Sequence, residues 1–309
     1  MSTTSRAVTI IIPVYGDWPS LDDCIASVKK YVDRSVHTVM LVNDCGPDAD
    51  VLEQNILAAI KGHEGFVYHR NKKNLGFVGN CNRAVLELDT TNNDILLLNS
   101  DTIVTEGFLD EMIAVLHASP KHGAVSARSN NASIATIPLS SASQKGIGPK
   151  KSYDVYTKIK KYLPQQQVVP VAHGFCMLIR RRLIKKYGLF DKAFGKGYGE
   201  EVDFCMRIAQ HGYICLLANR AFVFHVEARS FSLETKSKLM EINNKILWKR
   251  YPHFRQSVRD YMEAAVPRES ALEQKAGVKS YVGGKTRLKN LVKKNPKIHT
   301  LARHIRKHI

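Results

Sequence analysis

The sequence predicts an α/β fold built on a doubly wound, mostly parallel sheet. Three observations predict it. Over the first 130 residues, short apolar runs alternate with segments of helical period. Several of those runs are apolar without interruption, as strands covered on both faces are. Finally, Asp17, Asp44 and Asp101 fall at or just beyond the carboxyl ends of such runs, where sheets of this kind place their ligands.

In order, "VTIIIPV" (8–14), "HTVMLVND" (37–44), "GFVYHR" (65–70), "DILLLNSD" (94–101) and "GAVSA" (123–127) read as strands. Helical stretches lie between them near 20–31, 50–61, 78–88 and 107–118, which implies right-handed crossovers. Residues 128–170 are polar, Ser-rich and without period, and predict a long loop over a site. Strand texture returns over 169–181, and "RRLIKKYGLF" reads as a short helix. A Gly-rich turn then leads into a helix from about Glu200 to His211. A strand region and a helix over 232–250 follow. The expected division is a ligand-binding half (1–130), a second half of the same domain (131–250) and a helical basic extension (251–309).

A net charge of +18 over 309 residues calls for an anionic partner. Residues 274–309 alone hold eleven Lys or Arg and no acid, so the charge is mainly a property of the tail. Leu288, Leu291, Val292, Ile298, Leu301 and Ile305 recur there at helical spacing, broken near Pro296. That pattern predicts docking of 275–309 on an anionic membrane surface, not specific nucleic-acid binding. The six cysteines lack C-x-x-C spacing, as expected of reduced thiols. The apolar start is broken by Pro13 and reads as a strand, not a signal peptide, and no run approaches the ~18 residues of a membrane span. The expected location is cytoplasmic, at the periphery of a membrane.

Taken alone, Asp101 in "LLLNSDTIV" either caps a turn or ligates a cation. Asp44 in "LVNDCG" either forms an Asx turn or accepts a hydrogen bond from a ligand. Gly76 and Gly79 in "RNKKNLGFVGNCNRAV" permit close backbone approach at a helix start, which suits phosphate. Glu200, Glu201 and Asp203 in "GYGEEVDFCMRIAQHGY" are either favourable first-turn acids or carry a general base.

Together with "VTIIIPVYGDWPSLDDCIASV", these motifs resemble family 2 glycosyltransferases of the GT-A fold. The resemblance covers about residues 7–230, with five motifs in the family's order. It implies inverting, metal-dependent transfer from a UDP- or dTDP-linked sugar to a glycan or lipid-linked glycan. Asp101 would hold Mn²⁺ or Mg²⁺, with His225 completing the site. Pro13, Tyr15, Asp17, Asp44, Arg70, Asn74, Gly76, Asn82, Asn99 and Ser100 would line the donor site, with Asp44 on the base. His173, Gly174 and Glu200 would meet the acceptor. Glu201 would be the general base, with Asp203 as the other candidate. Asn99 stands where the family's D-x-D motif has its first acid, and Glu201 stands where it has Asp. These departures leave a catalytically degenerate relative open. A sugar-phosphate nucleotidyltransferase would carry a basic, Gly-rich loop after its first strand, where this chain reads "PVYGDWPS".

Overall fold

The computed structural model describes residues 6–141, 147–226 and 233–278. The predicted strands of the first half are present as β1 (Val8–Val14), β2 (Thr38–Asn43), β3 (Phe66–Arg70) and β4 (Asp94–Leu98). A short β5 (Thr102–Val104) precedes β6 (His122–Arg128). The intervening helices are α1 (Trp18–Tyr31), α2 (Ala49–Ile60), α3 (Gly76–Arg83) and α4 (Phe108–His117). In α1, Leu21, Cys24, Ile25 and Val28 are buried at the i, i+3, i+4, i+7 spacing of one face. Pro19 sits in its first turn, and Lys29 and Lys30 offset the dipole in its last. A π-helical turn, Ala84–Leu88, follows α3 directly.

The second half departs from expectation in two places. Residues 128–170 are not a bare loop: they hold α5 (Pro149–Ile159) and β7 (Gln166–Val169). Val155, Tyr156 and Ile159 of α5 build a small second core with Ile137, Leu163 and Phe222. These apolar residues are diluted among Ser and Lys and draw their partners from distant segments, so no local period betrays them. The strand expected over 169–181 is only β8 (Cys176–Ile179), because Val169 ends β7 and Arg181 begins the next helix. Then come α6 (Arg181–Tyr187), α7 (Glu200–Ala209), β9 (Ile214–His225), α8 (Leu233–Arg250) and α9 (Phe254–Lys275).

The sheet order is β3-β2-β1-β4-β8-β6-β9-β5, with β7 also paired to β9. Strands β1 to β4 are parallel to one another, and β8 enters antiparallel between β4 and β6. The connection order reverses between β1 and β4, so the crevice outside their carboxyl ends is a topological switch point. Strand β9 first runs beside β6. After an irregularity that takes the register from Ala127↔Ala218 to Arg128↔Phe222, it pairs with β5 and sets His225 opposite Thr102.

Arg128, fully buried at that irregularity, anchors α9. Its Nε donates to Asn219 Oδ1 at 2.6 Å, and its Nη2 donates to Glu269 Oε1 at 2.7 Å. Of the basic extension, the described part is helical through Lys275; the apolar stripe expected at 288–305 lies outside the described residues. Among the described residues, no helix is long and apolar enough to cross a membrane.

Candidate active site

Three strand ends and two helix starts meet at the switch point. After β1, the chain bends through Tyr15 and Asp17. A Cβ on Gly46 would fall 1.9 Å from the Tyr15 carbonyl oxygen, so only glycine lets the loops after β1 and β2 touch here. Asp17 is exposed, adopts a φ of 55° and accepts a 2.7 Å bond from Ser20 Oγ at the start of α1.

Asp44 leaves the end of β2 almost fully buried. Its Oδ1 accepts from Asn71 Nδ2 at 2.7 Å and from the Leu75 amide at 2.9 Å. Burial pushes its carboxyl upward, against these bonds. Asn71 also donates to Asn80 Oδ1 at 2.9 Å, and Asn80 returns a 2.9 Å bond to the Val42 carbonyl. Arg83 donates to Asn71 Oδ1. Asn71, Asn80 and Arg83 are therefore part of the site, although the sequence reading passed over them. A signal existed: asparagine is a poor helix former, yet 71–82 holds four of them around a helix start.

Asn74 Oδ1 accepts from the Gly76 amide at 2.8 Å and closes the turn into α3. Asn82 sits differently. Its amide donates to the Phe190 carbonyl at 2.8 Å and accepts from the Phe190 amide at 3.0 Å, so both ends hold the α6–α7 loop. Arg70 is likewise engaged elsewhere, by Asp50 at 2.6 Å and Glu53 at 2.7 Å on α2, and these two acids raise its pKa.

Asp101 lies just past β4, in the turn into β5. The β5–β9 pairing brings His225 to it, with Nε2 at 3.5 Å from Asp101 Oδ1. His225 Nδ1 lies 2.8 Å from the Asn131 carbonyl, which can only accept. That contact fixes the proton on Nδ1 and turns Nε2 towards the carboxylate. Asn130 clasps the His225 backbone from both sides, at 3.0 and 2.9 Å. A carboxylate oxygen suits Mn²⁺ or Mg²⁺ when phosphate and water oxygens complete the shell, and an imidazole nitrogen beside it favours Mn²⁺. Among the described residues no group of three or more His, Cys, Asp or Glu could hold a metal.

The segment 173–175 joins this pair to the acids of α7. Phe175 stacks on His225 with ring centroids 5.2 Å apart, and its carbonyl accepts from the Asn99 amide at 2.9 Å. A Cβ on Gly174 would stand 3.5 Å from Cβ and Cγ of Glu201. His173 Nδ1 is buried without a hydrogen-bond partner, and burial with the nearby His225 pushes its imidazole down to about 4. Ser100 is half-buried beside Asp101.

The three acids of α7 have different surroundings. Asp203 is 1% exposed, and its Oδ1 accepts from Arg250 Nη1 at 2.7 Å and Tyr251 OH at 3.0 Å. Its Oδ2 accepts from Arg207 Nε at 3.2 Å. Glu201 is half-buried, and its Oε2 accepts from the Gly199 amide at 3.2 Å. Burial raises its pKa. Glu200 is buried, its Oε2 has no hydrogen-bond partner, and burial plus the charge of Glu201 raise its pKa well above the carboxylate range. The start of α3 also meets the loop before α7, since a Cβ on Gly76 would lie 3.3 Å from Lys196 Cα.

Known proteins agree with this architecture. The sequence model described as Glycosyl transferase family 2 matches residues 9–188, more than half of the chain. No curated protein matches in sequence. A mannosyltransferase from Pyrobaculum calidifontis, PcManGT, solved with GDP-Man and Mn²⁺, superposes with a TM-score of 0.60 at 16% identity. That match covers 89% of this chain and 74% of the other. GalNAc-T7, solved with UDP, GalNAc and Mn²⁺, gives 0.59 at 14% identity, over 89% of this chain and 55% of its own. Residues 1–349 of TarS from S. aureus give 0.50 at 13% identity, over 86% and 83%. At these identities the likeness is one of fold, and the fold is the GT-A arrangement of mixed sheet and flanking helices. With the family match spanning β1 to the end of α6, the chain belongs to glycosyl transferase family 2.

Proposed function

We propose that the chain transfers a sugar, with inversion, from a UDP- or dTDP-linked donor to a hydroxyl of a glycan or lipid-linked glycan. The observation that carries this reading is the 173–175 segment. It packs Glu201 against Gly174 and His225 against Phe175, so a proton acceptor and a cation-holding pair sit on adjacent residues. Neighbouring Cα atoms are 3.8 Å apart, so a donor held by one is within reach of an acceptor served by the other.

Asp44 would accept from the imide N–H of the pyrimidine, beside Pro13 and Tyr15. The turn at Asn74 and Gly76, at the start of α3, faces the phosphates in this reading. Asp101 and His225 would hold Mn²⁺ or Mg²⁺; when bound, the cation offsets charge on the departing diphosphate. Asn99 and Ser100 orient the sugar, and His173 and Glu200 meet sugar hydroxyls. Glu201 takes the proton of the attacking hydroxyl, helped by burial, which raises its basicity. The engagements of Arg70, Asn82 and Asp203 support positioning duties for them instead of contact with substrate.

A screen of UDP-glucose, UDP-N-acetylglucosamine, dTDP-rhamnose and GDP-mannose, with and without Mn²⁺, tests the reading. One of the first three is expected to be hydrolysed or transferred only with metal, and turnover of GDP-mannose alone would overturn the pyrimidine reading of Asp44. In calorimetry, Asp101→Asn should weaken Mn²⁺-dependent UDP binding by about 10-fold or more while the melting temperature holds. Unchanged metal dependence in Asp101→Asn would remove Asp101 from the site.

For the tail we propose contact with an anionic membrane surface through 275–309, supported by its eleven basic residues. Each contributes roughly 1 kcal/mol near such a surface. Full-length protein should sediment with anionic vesicles in low salt and a chain ending at Gln274 should not; equal sedimentation of both would show that the tail is not the anchor.

A further inference from the structure

We infer that Asn243, on α8, positions the carboxylate of Glu201. The inference rests on the reading of Glu201 as the general base. Asn243 is buried, and its Nδ2 lies 3.1, 2.7 and 2.9 Å from the carbonyl oxygens of Phe194, Gly197 and Tyr198. One amide group has two hydrogens, so three carbonyls share them.

The backbone held this way has its own turn bonds, from the Gly195 amide to the Lys192 carbonyl and from the Gly197 amide to the Phe194 carbonyl, both at 3.1 Å, but its dihedrals are unusual. Gly195, Gly197, Tyr198 and Gly199 have φ of 54°, 120°, 74° and 100°. For Tyr198, a non-glycine residue, that conformation is strained, and it persists only where the surroundings impose it. The strained run ends at Gly199, whose amide donates to Glu201 Oε2. Four residues beyond Asn243, Leu247 closes the other side: a Cβ on Gly199 would lie 2.9 Å from Leu247 Cδ1. Arg250, the last residue of α8, bonds Asp203 and also Asp191 Oδ2 at 2.8 Å, farther back in the same loop, and Tyr251 just past the helix bonds Asp203. Among the described contacts of α8, Asn243 makes the ones that reach the carbonyls of Gly197 and Tyr198, next to Gly199.

Losing it should free the Gly199 amide and leave Glu201 less well oriented. The donor residues Asp44 and Asp101 sit on other elements. The expected signature is therefore a fall in kcat with little change in donor KM. The Gly199 bond favours the charged carboxylate, so losing it should also move the acid limb of the pH–rate profile to higher pH.

The experiment compares wild type, Asn243→Ala, Asn243→Ser and Glu201→Gln. It uses whichever of UDP-glucose, UDP-N-acetylglucosamine, dTDP-rhamnose or GDP-mannose wild type turns over with Mn²⁺. Asn243→Ala should lose about 100-fold in kcat, keep donor KM within about twofold of wild type in this purely orientational view, and shift its acid limb upward. Asn243→Ser, which keeps one donor, should lie between, and it carries the same measurements if the alanine variant does not fold. Hydrogen exchange across 195–203, which needs no donor, should accelerate in both variants. Unchanged exchange overturns the inference, and so does lower kcat with an unmoved acid limb, which marks a merely structural residue. Active Glu201→Gln would refute the base assignment itself. Inactive Glu201→Gln beside an Asn243→Ala enzyme with a wild-type profile would refute the inference alone.

Discussion

Glu201→Gln should lose transfer by about 10²–10⁴-fold while binding UDP and Mn²⁺ as wild type does. Glutamine has nearly the same shape and still accepts the Gly199 amide, so the loop before α7 is left in place. What it cannot do is take a proton. The comparison with Asp203→Asn makes the result specific. Asp203 is surrounded by Arg207, Arg250 and Tyr251, which occupy both of its oxygens. With both oxygens engaged and the side chain 1% exposed, Asp203 leaves little room for an acceptor hydroxyl to approach it. Asp203→Asn should therefore lower stability by about 1.5–3 kcal/mol, the range for a hydrogen bond to a charged group. The protein that remains folded should retain transfer. Normal transfer by Glu201→Gln and none by folded Asp203→Asn would move the base to Asp203.

The second large effect is expected on α9, and its sign depends on which acid is changed. Glu269→Ala should cost about 3–5 kcal/mol, because it strands Arg128, a fully buried guanidinium, without its 2.7 Å carboxylate partner. Glu273, one turn further on, is as deeply buried, but neither of its oxygens has a hydrogen-bond partner. Burial and the charge of Glu269 raise its pKa to about 7. A carboxyl raised in the folded state binds its proton more tightly there than in the unfolded chain. Its contribution is thus fully present below the unfolded pKa of about 4.5 and is lost as pH rises through about 7. Glu273→Gln should match wild type in acid. By pH 8 it should be the more stable protein, by up to about 3 kcal/mol. Denaturant titrations at pH 5 and pH 8 check both variants, and a Glu273→Gln protein less stable than wild type at pH 8 would show that the charged carboxylate is well accommodated.

Much of the scaffold is legible because parallel strands covered on both faces leave uninterrupted apolar runs, as in β1, β2 and β4. Asp44 and Asp101 are legible for the same reason: a charge that ends such a run needs an explanation. Where structure depends on distant partners, the sequence is silent. Residues of α5 pack against Phe222 and Ile137, so their apolar pattern looks like a loop. Strand β8 is antiparallel between β4 and β6, which no local period announces. The approach of His225 to Asp101 follows from the register of β9 on β5, across more than a hundred residues. Asn71, Asn80 and Asn243 are held by hydrogen bonds to backbone and side chains far away in sequence, and amides carry no pattern that marks them for such duty. The roles proposed for His225 and Glu201 come from the family resemblance; the structure adds the 173–175 segment that packs against both.

The central claim is a single displacement assisted by a carboxylate base. It is tested most directly by proton NMR of the first product formed by wild-type enzyme from an α-linked nucleotide sugar with Mn²⁺. The account predicts a β-configured anomeric centre, with the large anomeric coupling of a β-glucoside if the donor is UDP-glucose. A product that keeps the α configuration of the donor would contradict it.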